Sequence, residues 1–192
     1  EKGVTATFFL SGDAAEASPA TAKAIVDAGC EVGSNSYRDE SLKGQDRDAV
    51  REQISKGTEA IKSATGVKTM LLRAPYAAFD EQNWIDAMDL ASAVVSWNID
   101  SGDWLLNGAD EQVSTVLDSV TPGNIVLLTD SDECAEQTLV ALPQIIDGLI
   151  ADGYKIVTLS DLVKTDASLS KKLNSLAKVT MPKNAVFPQL AE

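Results

Sequence analysis

Four short clusters of polar and aromatic residues punctuate this chain of 192 residues. They are Asn35, Tyr37, Arg38 and Asp39; Arg73, Pro75 and Tyr76; Asp100, Asp103 and Trp104; and Thr129, Asp130 and Asp132. A tryptophan beside two carboxylates and a guanidinium suits a sugar, because the indole covers the apolar ring face while the charged groups bond to hydroxyls. In the alternative, Arg73 pairs with Asp100 or Asp103 and braces loops, while Trp104 caps the core. Equally telling is what the set lacks. The chain contains no histidine, so no imidazole can shuttle protons or ligate a metal. Two cysteines, Cys30 and Cys134, are too few for a zinc cluster, and a cysteine nucleophile has no imidazole partner. Both are expected as free thiols. They flank opposite ends of strands about 17 Å long, whereas disulfide Cα atoms lie within about 7 Å.

The elements that must position these clusters alternate. Val4–Leu10 is β-branched and aromatic and predicts a first strand; Cys30–Ser34, Thr69–Leu72, Ala93–Ile99, Asn124–Leu128 and Lys155–Leu159 predict five more. Helices are predicted from Ser18, as N-cap before Pro19, to Ala28 with Gly29 as the stop. Others are expected over 46–65 with Gly66 after it, and over 81–90, 109–120 and 136–152. A short helix opens at Ser160-Asp161. Strand–helix alternation at this spacing predicts a parallel sheet with crossover helices, open or closed into a barrel. In such folds function collects in loops after the carboxyl ends of strands, which is where all four clusters fall. No Gly-rich phosphate loop follows any strand, which argues against a nucleotide fold.

Composition narrows the partners. The apolar share is 44% and the charged share 23%, ordinary for a folded domain. A net charge of −13 disfavours nucleic acid, whose phosphates need Lys and Arg, and anionic membrane surfaces. No apolar run approaches the roughly 20 residues of a membrane span. Residues 164–192 carry a net +3 and leave −16 on the rest. They are expected to form a basic tail, partly helical around Leu169, Leu173 and Leu176, with Pro182 and Pro188 extending its end.

Six stretches carry a resemblance. They are ATFFLSG (6–12), GCEVGSNSYRDESL (29–42), LLRAPYAAFD (71–80), VVSWNIDSGDW (94–104), PGNIVLLTD (122–130) and the closing helix and strand of 137–163. In order and spacing, residues 3–163 resemble the polysaccharide deacetylase family, the NodB-homology domain of the carbohydrate esterases. The resemblance implies an α/β fold, a distorted parallel (β/α) barrel, over a domain of residues 1–163. The family's first strand and helix would precede Glu1 and are expected to be absent from this chain. It also implies metal-dependent carbohydrate N- or O-deacetylation, a polysaccharide or oligosaccharide partner, and an extracytoplasmic, secreted or cell-wall location.

The departures bear on activity. Family members hold a divalent metal, often zinc, with two histidines spaced His-x-x-x-His and an aspartate of the first strand. Asn35 and Asp39 stand at the histidine positions, and Thr129 stands at the general-acid histidine. Arg73, which in the family positions the base, and Asp100, Asp103 and Trp104 match. Tyr76, Trp104, Arg73 and Asp103 are the expected sugar-binding set; Arg73, Asp100, Asp103 and Thr129 are remnant catalytic positions. No cofactor is expected on this reading, which makes the domain a catalytically impaired carbohydrate-binding or accessory module. Two alternatives stand beside it: an active esterase with a rebuilt oxygen-ligand site, its Ca²⁺ or Mg²⁺ held by Asp39 and Asp130, and a structural domain with no ligand.

Overall fold

The protein is described by a computed structural model that covers residues 2–131 and 133–165. Asp132 and the expected tail helix and extended end of residues 166–192 lie outside the described residues. The described chain falls into two compact units. One comprises Thr5–Ser96 together with the chain from Thr158; the other comprises Trp97–Val157 together with the chain up to Val4.

In the first unit, β1 (Thr7–Leu10), β2 (Glu31–Ser34), β3 (Leu71–Leu72) and β4 (Ala93–Val94) pair in that order, all in parallel. Parallel neighbours need crossovers. These are supplied by α1 (Gly12–Ala17) and α2 (Pro19–Asp27), then α3 (Arg47–Thr65), then α4 (Glu81–Ala87). The register sets Phe9 beside Gly33 and Leu10 beside Ser34. The core holds Leu42, Val50, Ile54, Leu72, Trp84 and Val94, with a second cluster of Ala15, Ala22, Val32 and Ile61.

Helix α3 is the best specified element. Asp46 caps it by accepting the Ala49 N–H at 2.9 Å, and Gly66 ends it at φ 78°. Its apolar stripe of Val50, Ile54 and Ile61 is fully buried, as the spacing predicts.

In the second unit, β5 (Ile99–Asp100) and β6 (Val126–Leu127) pair in parallel around α5 (Ala109–Ser119). Helix α6 (Ala135–Ala151) follows and packs Ala141, Ile145 and Leu149 against Ile99 and Val116. Pro143 lies inside α6. It cannot donate to the carbonyl four residues back, but Leu139 is 68% exposed, so water can take that place.

Three expectations need correction, and one helix was not predicted. The strand read as 93–99 is two: Val95 N bonds to Leu72 O, whereas Asn98 and Ile99 bond to Ile125 O. Its apolar run is continuous although its ladder partner changes midway. Residues 155–159 form no ladder; Ile156 instead packs on the core of the second unit, and Leu159 already begins α7 (Leu159–Thr165). An apolar run reports only a preference to leave water, and here partial burial of 156–159 is met without pairing. Helix α1 covers residues for which no element was predicted; Gly12 N and Asp13 N are held by Ser36 O and Tyr37 O, contacts distant in sequence. Ser18 stands before Pro19 as read, but its hydroxyl meets Thr21 Oγ1 at 2.8 Å rather than capping a backbone N–H.

Candidate functional site

The first unit presents the loop after β2 and the turn after β3. Asn35 N donates to Leu10 O at 2.8 Å, continuing the strand pairing into the loop. The chain then turns sharply at Ser36, whose φ is 62° and whose side chain is fully buried. That left-handed conformation is costly for a residue with a Cβ. It is held by Ser36 Oγ donating to Arg38 O at 2.6 Å and by Gly12 N donating to Ser36 O at 2.9 Å. From below, α3 approaches so closely that a Cβ on Gly57 would lie 2.4 Å from Ser36 O.

The turn delivers Asp39 to its neighbours. Its Oδ1 accepts from Asn35 Nδ2 at 3.3 Å, and its Oδ2 from the Tyr76 hydroxyl at 3.1 Å. The same hydroxyl reaches Asp39 O at 3.2 Å. Tyr76, itself at φ 58° and 71% exposed, is fixed by this pair. The nearby Asp39 charge, then the hydrogen bond, raise the Tyr76 phenol above its ordinary pKa. Tyr37 and Arg38 face elsewhere: the Tyr37 ring carries Lys56 Nζ at 3.6 Å and its hydroxyl meets Glu16, while Arg38 lies toward Glu40.

Arg73 extends from the end of β3, with its N–H on Ser34 O at 2.8 Å. Its guanidinium stacks 4.2 Å from the centre of the Phe9 ring, and its Nε donates to Val95 O at 3.3 Å. Burial lowers its pKa to about 10, so it stays charged at neutral pH. Gly33 makes room for that stack: a Cβ there would sit 2.5 Å from the Phe9 ring.

The second unit presents the turn after β5. Asp100 accepts from Trp97 Nε1, Trp104 Nε1 and Gly102 N. Asp103 is wholly buried. Its Oδ2 accepts from the backbone N–H of Thr129 and from Thr138 Oγ1 at 3.3 Å, while its buried Oδ1 has no hydrogen-bond partner among the described residues. Thr129 is thereby fixed through its main chain. Asp130 is exposed. Trp104 is 58% exposed, which removes the expectation that it caps the core.

Of the site residues expected from sequence, the fold therefore joins Asn35, Asp39 and Tyr76 in one network. It joins Asp100 to Trp104, and Asp103 to Thr129. Arg73 is anchored on Phe9. Among the described residues no group of three or more His, Cys, Asp or Glu is placed to hold a metal ion. Sequence reasoning missed Phe9, Gly57, Trp97 and Thr138. Trp97 was the most accessible of these, since it stands three residues before Asp100 in the same motif.

The family model for polysaccharide deacetylase matches residues 1–95. A bifunctional xylanase/deacetylase of Pseudobutyrivibrio xylanivorans is 35% identical over 83% of this chain, which spans 26% of that protein's length. A chitooligosaccharide deacetylase of Sinorhizobium fredii is 32% identical over 83% of this chain and 79% of its own. Among solved structures, a CE4 family pseudoenzyme from Bacillus anthracis is similar with a TM-score of 0.75 and 32% identity, over 83% of this chain and 55% of that one. By these similarities, and with its parallel strands and crossover helices, the chain belongs to the polysaccharide deacetylase family.

Proposed function

We propose that this domain is a polysaccharide deacetylase-type module with an impaired hydrolytic centre, and that it acts by binding carbohydrate. The observation that carries the reading is the Asn35–Asp39–Tyr76 network. Hydrolysis of an acetamide or acetate ester needs an activated water, a stabilised oxyanion and a proton for the leaving group. In this family a metal supplies the first two. Zinc asks for imidazole, thiolate or carboxylate ligands in tetrahedral array. The two ligand positions here offer a neutral amide and one carboxylate, and both carboxylate oxygens already accept hydrogen bonds from neutral donors. This donor set does not fit zinc.

The proton is missing too. Thr129 occupies the general-acid position, and a hydroxyl of that kind does not ionise near neutral pH. General acid catalysis contributes about 10²–10⁴-fold, so its loss alone is severe. Exposed Trp104 and Tyr76 support the binding half of the reading. The ligand class is a polysaccharide or oligosaccharide, of the chitooligosaccharide or xylan kind that the relatives' names carry. An extracytoplasmic setting follows from that ligand.

The test is elemental analysis of purified protein together with acetate release from chitohexaose and acetylxylan. The expected outcome is no stoichiometric zinc and no release above background. About one zinc per chain would overturn the reading. So would metal-dependent release abolished by Asp39→Ala, which would establish a rebuilt oxygen-ligand site instead.

A further inference from the structure

Two of the three tryptophans in the chain converge on one carboxylate. Trp97 stands just before β5 and is half-buried; Trp104 stands just after it and is 58% exposed. Trp97 Nε1 donates to Asp100 Oδ2 at 3.2 Å, and Trp104 Nε1 donates to Asp100 Oδ1 at 3.2 Å. Gly102 N adds a third donor to Oδ1 at 2.9 Å and closes the turn, at a φ of 71° that suits glycine. An indole has a single polar atom and can only donate. Once that donor is committed to a carboxylate, in a hydrogen bond strengthened by the charge, the ring plane is set and only the ring faces remain for a ligand.

From this arrangement we infer that Asp100 is a positioning residue. It holds Trp97 and Trp104 as a fixed aromatic pair, so that the exposed Trp104 ring meets a pyranose by stacking rather than by hydrogen bonding. The inference rests on the carbohydrate-binding reading above. A free, exposed indole would have to be ordered on binding, whereas a tethered one is ordered beforehand. Immobilising a side chain of this kind costs enough to weaken binding about fivefold, ~1 kcal/mol.

Two measurements on the full chain test it. Indole N–H resonances are recorded for the wild type and for Asp100→Asn, with Trp97→Phe and Trp104→Phe assigning the signals. Chitohexaose binding is measured by calorimetry for wild type, Asp100→Asn, Trp104→Ala and the double variant. The expected result is that Asp100→Asn moves the Trp97 and Trp104 resonances while leaving Trp84 in place, and weakens binding about fivefold. It should add nothing to the loss in the Trp104→Ala background, since its effect acts through that ring. Trp97→Phe keeps the carboxylate and should move only the Trp104 resonance. Unmoved resonances in Asp100→Asn would overturn the inference, as would additive losses in the double variant. If the wild type does not bind chitohexaose but the resonances move as expected, the tether stands and the carbohydrate reading of Trp104 falls.

Discussion

Replacing Gly57 with alanine should destabilise the protein although alanine is the better helix former. In an exposed helix interior the exchange would add about 1 kcal/mol of stability. Here the new methyl would lie 2.4 Å from Ser36 O, 2.5 Å from its carbonyl carbon and 2.8 Å from Tyr37 N. These are backbone atoms, so no rotamer change relieves the overlap. Ser36 cannot swing away without giving up the 2.9 Å bond from Gly12 N or its own bond to Arg38 O. Overpacking costs about 1–3 kcal/mol and a lost hydrogen bond about 1 kcal/mol, which leaves a net loss of roughly 1–3 kcal/mol once the helix propensity of about 1 kcal/mol is subtracted. At this chain length that lowers Tm by about 2–12 °C. Gly148→Ala is the internal control. The three atoms nearest its methyl would all belong to the Leu117 side chain, Cδ1 at 2.7 Å, Cδ2 at 2.9 Å and Cγ at 3.4 Å, and that side chain can turn; the net change should stay within about 1 kcal/mol. Urea unfolding followed by circular dichroism reads both. A Gly57→Ala protein as stable as wild type would refute the claim that α3 buttresses the Ser36 turn.

Three further outcomes are expected. Trp104→Ala should cost less than about 1 kcal/mol of folding stability because the ring is 58% exposed, whereas Trp84→Ala, at 6% exposed, should cost about 3–5 kcal/mol; equal losses in denaturant melts would return Trp104 to the core. Tyr76 should titrate above the usual phenol range in an ultraviolet difference titration, and Asp39→Asn should bring it back; its contribution to stability is present below the unfolded phenol pKa and lost as pH rises through the raised folded value. Asp89 is held below the usual carboxylate range by its hydrogen bonds from Arg51, at 2.6 and 2.9 Å. Its contribution is therefore present above the unfolded carboxylate pKa and lost as pH falls through the depressed folded value, so Arg51→Gln should flatten the acid limb of a stability–pH profile; an unchanged limb would show the pair to be inert.

The sequence by itself determined the family, the parallel α/β plan and the places where polar loops interrupt it. Apolar spacing located α3 and α6 to within a residue or so, because caps, glycines and buried stripes are local facts. The missing imidazoles were equally plain, since composition needs no coordinates. Strand limits were not legible. The 93–99 run changes ladder partner midway, and 156–159 is half-buried without any ladder, because hydrophobicity records exclusion from water and says nothing of which backbone lies alongside. Tertiary structure alone decided what became of the polar loop positions. Asp39 is tied to Asn35 and Tyr76, Thr129 is used through its backbone, Arg73 rests on Phe9 over Gly33, and Trp104 stands in solvent with its indole held by Asp100. Each of these depends on distances between residues far apart or on opposite sides of a turn. Those distances are set by the turn at Ser36, the turn at Gly102 and the close approach of Gly57, not by residue type.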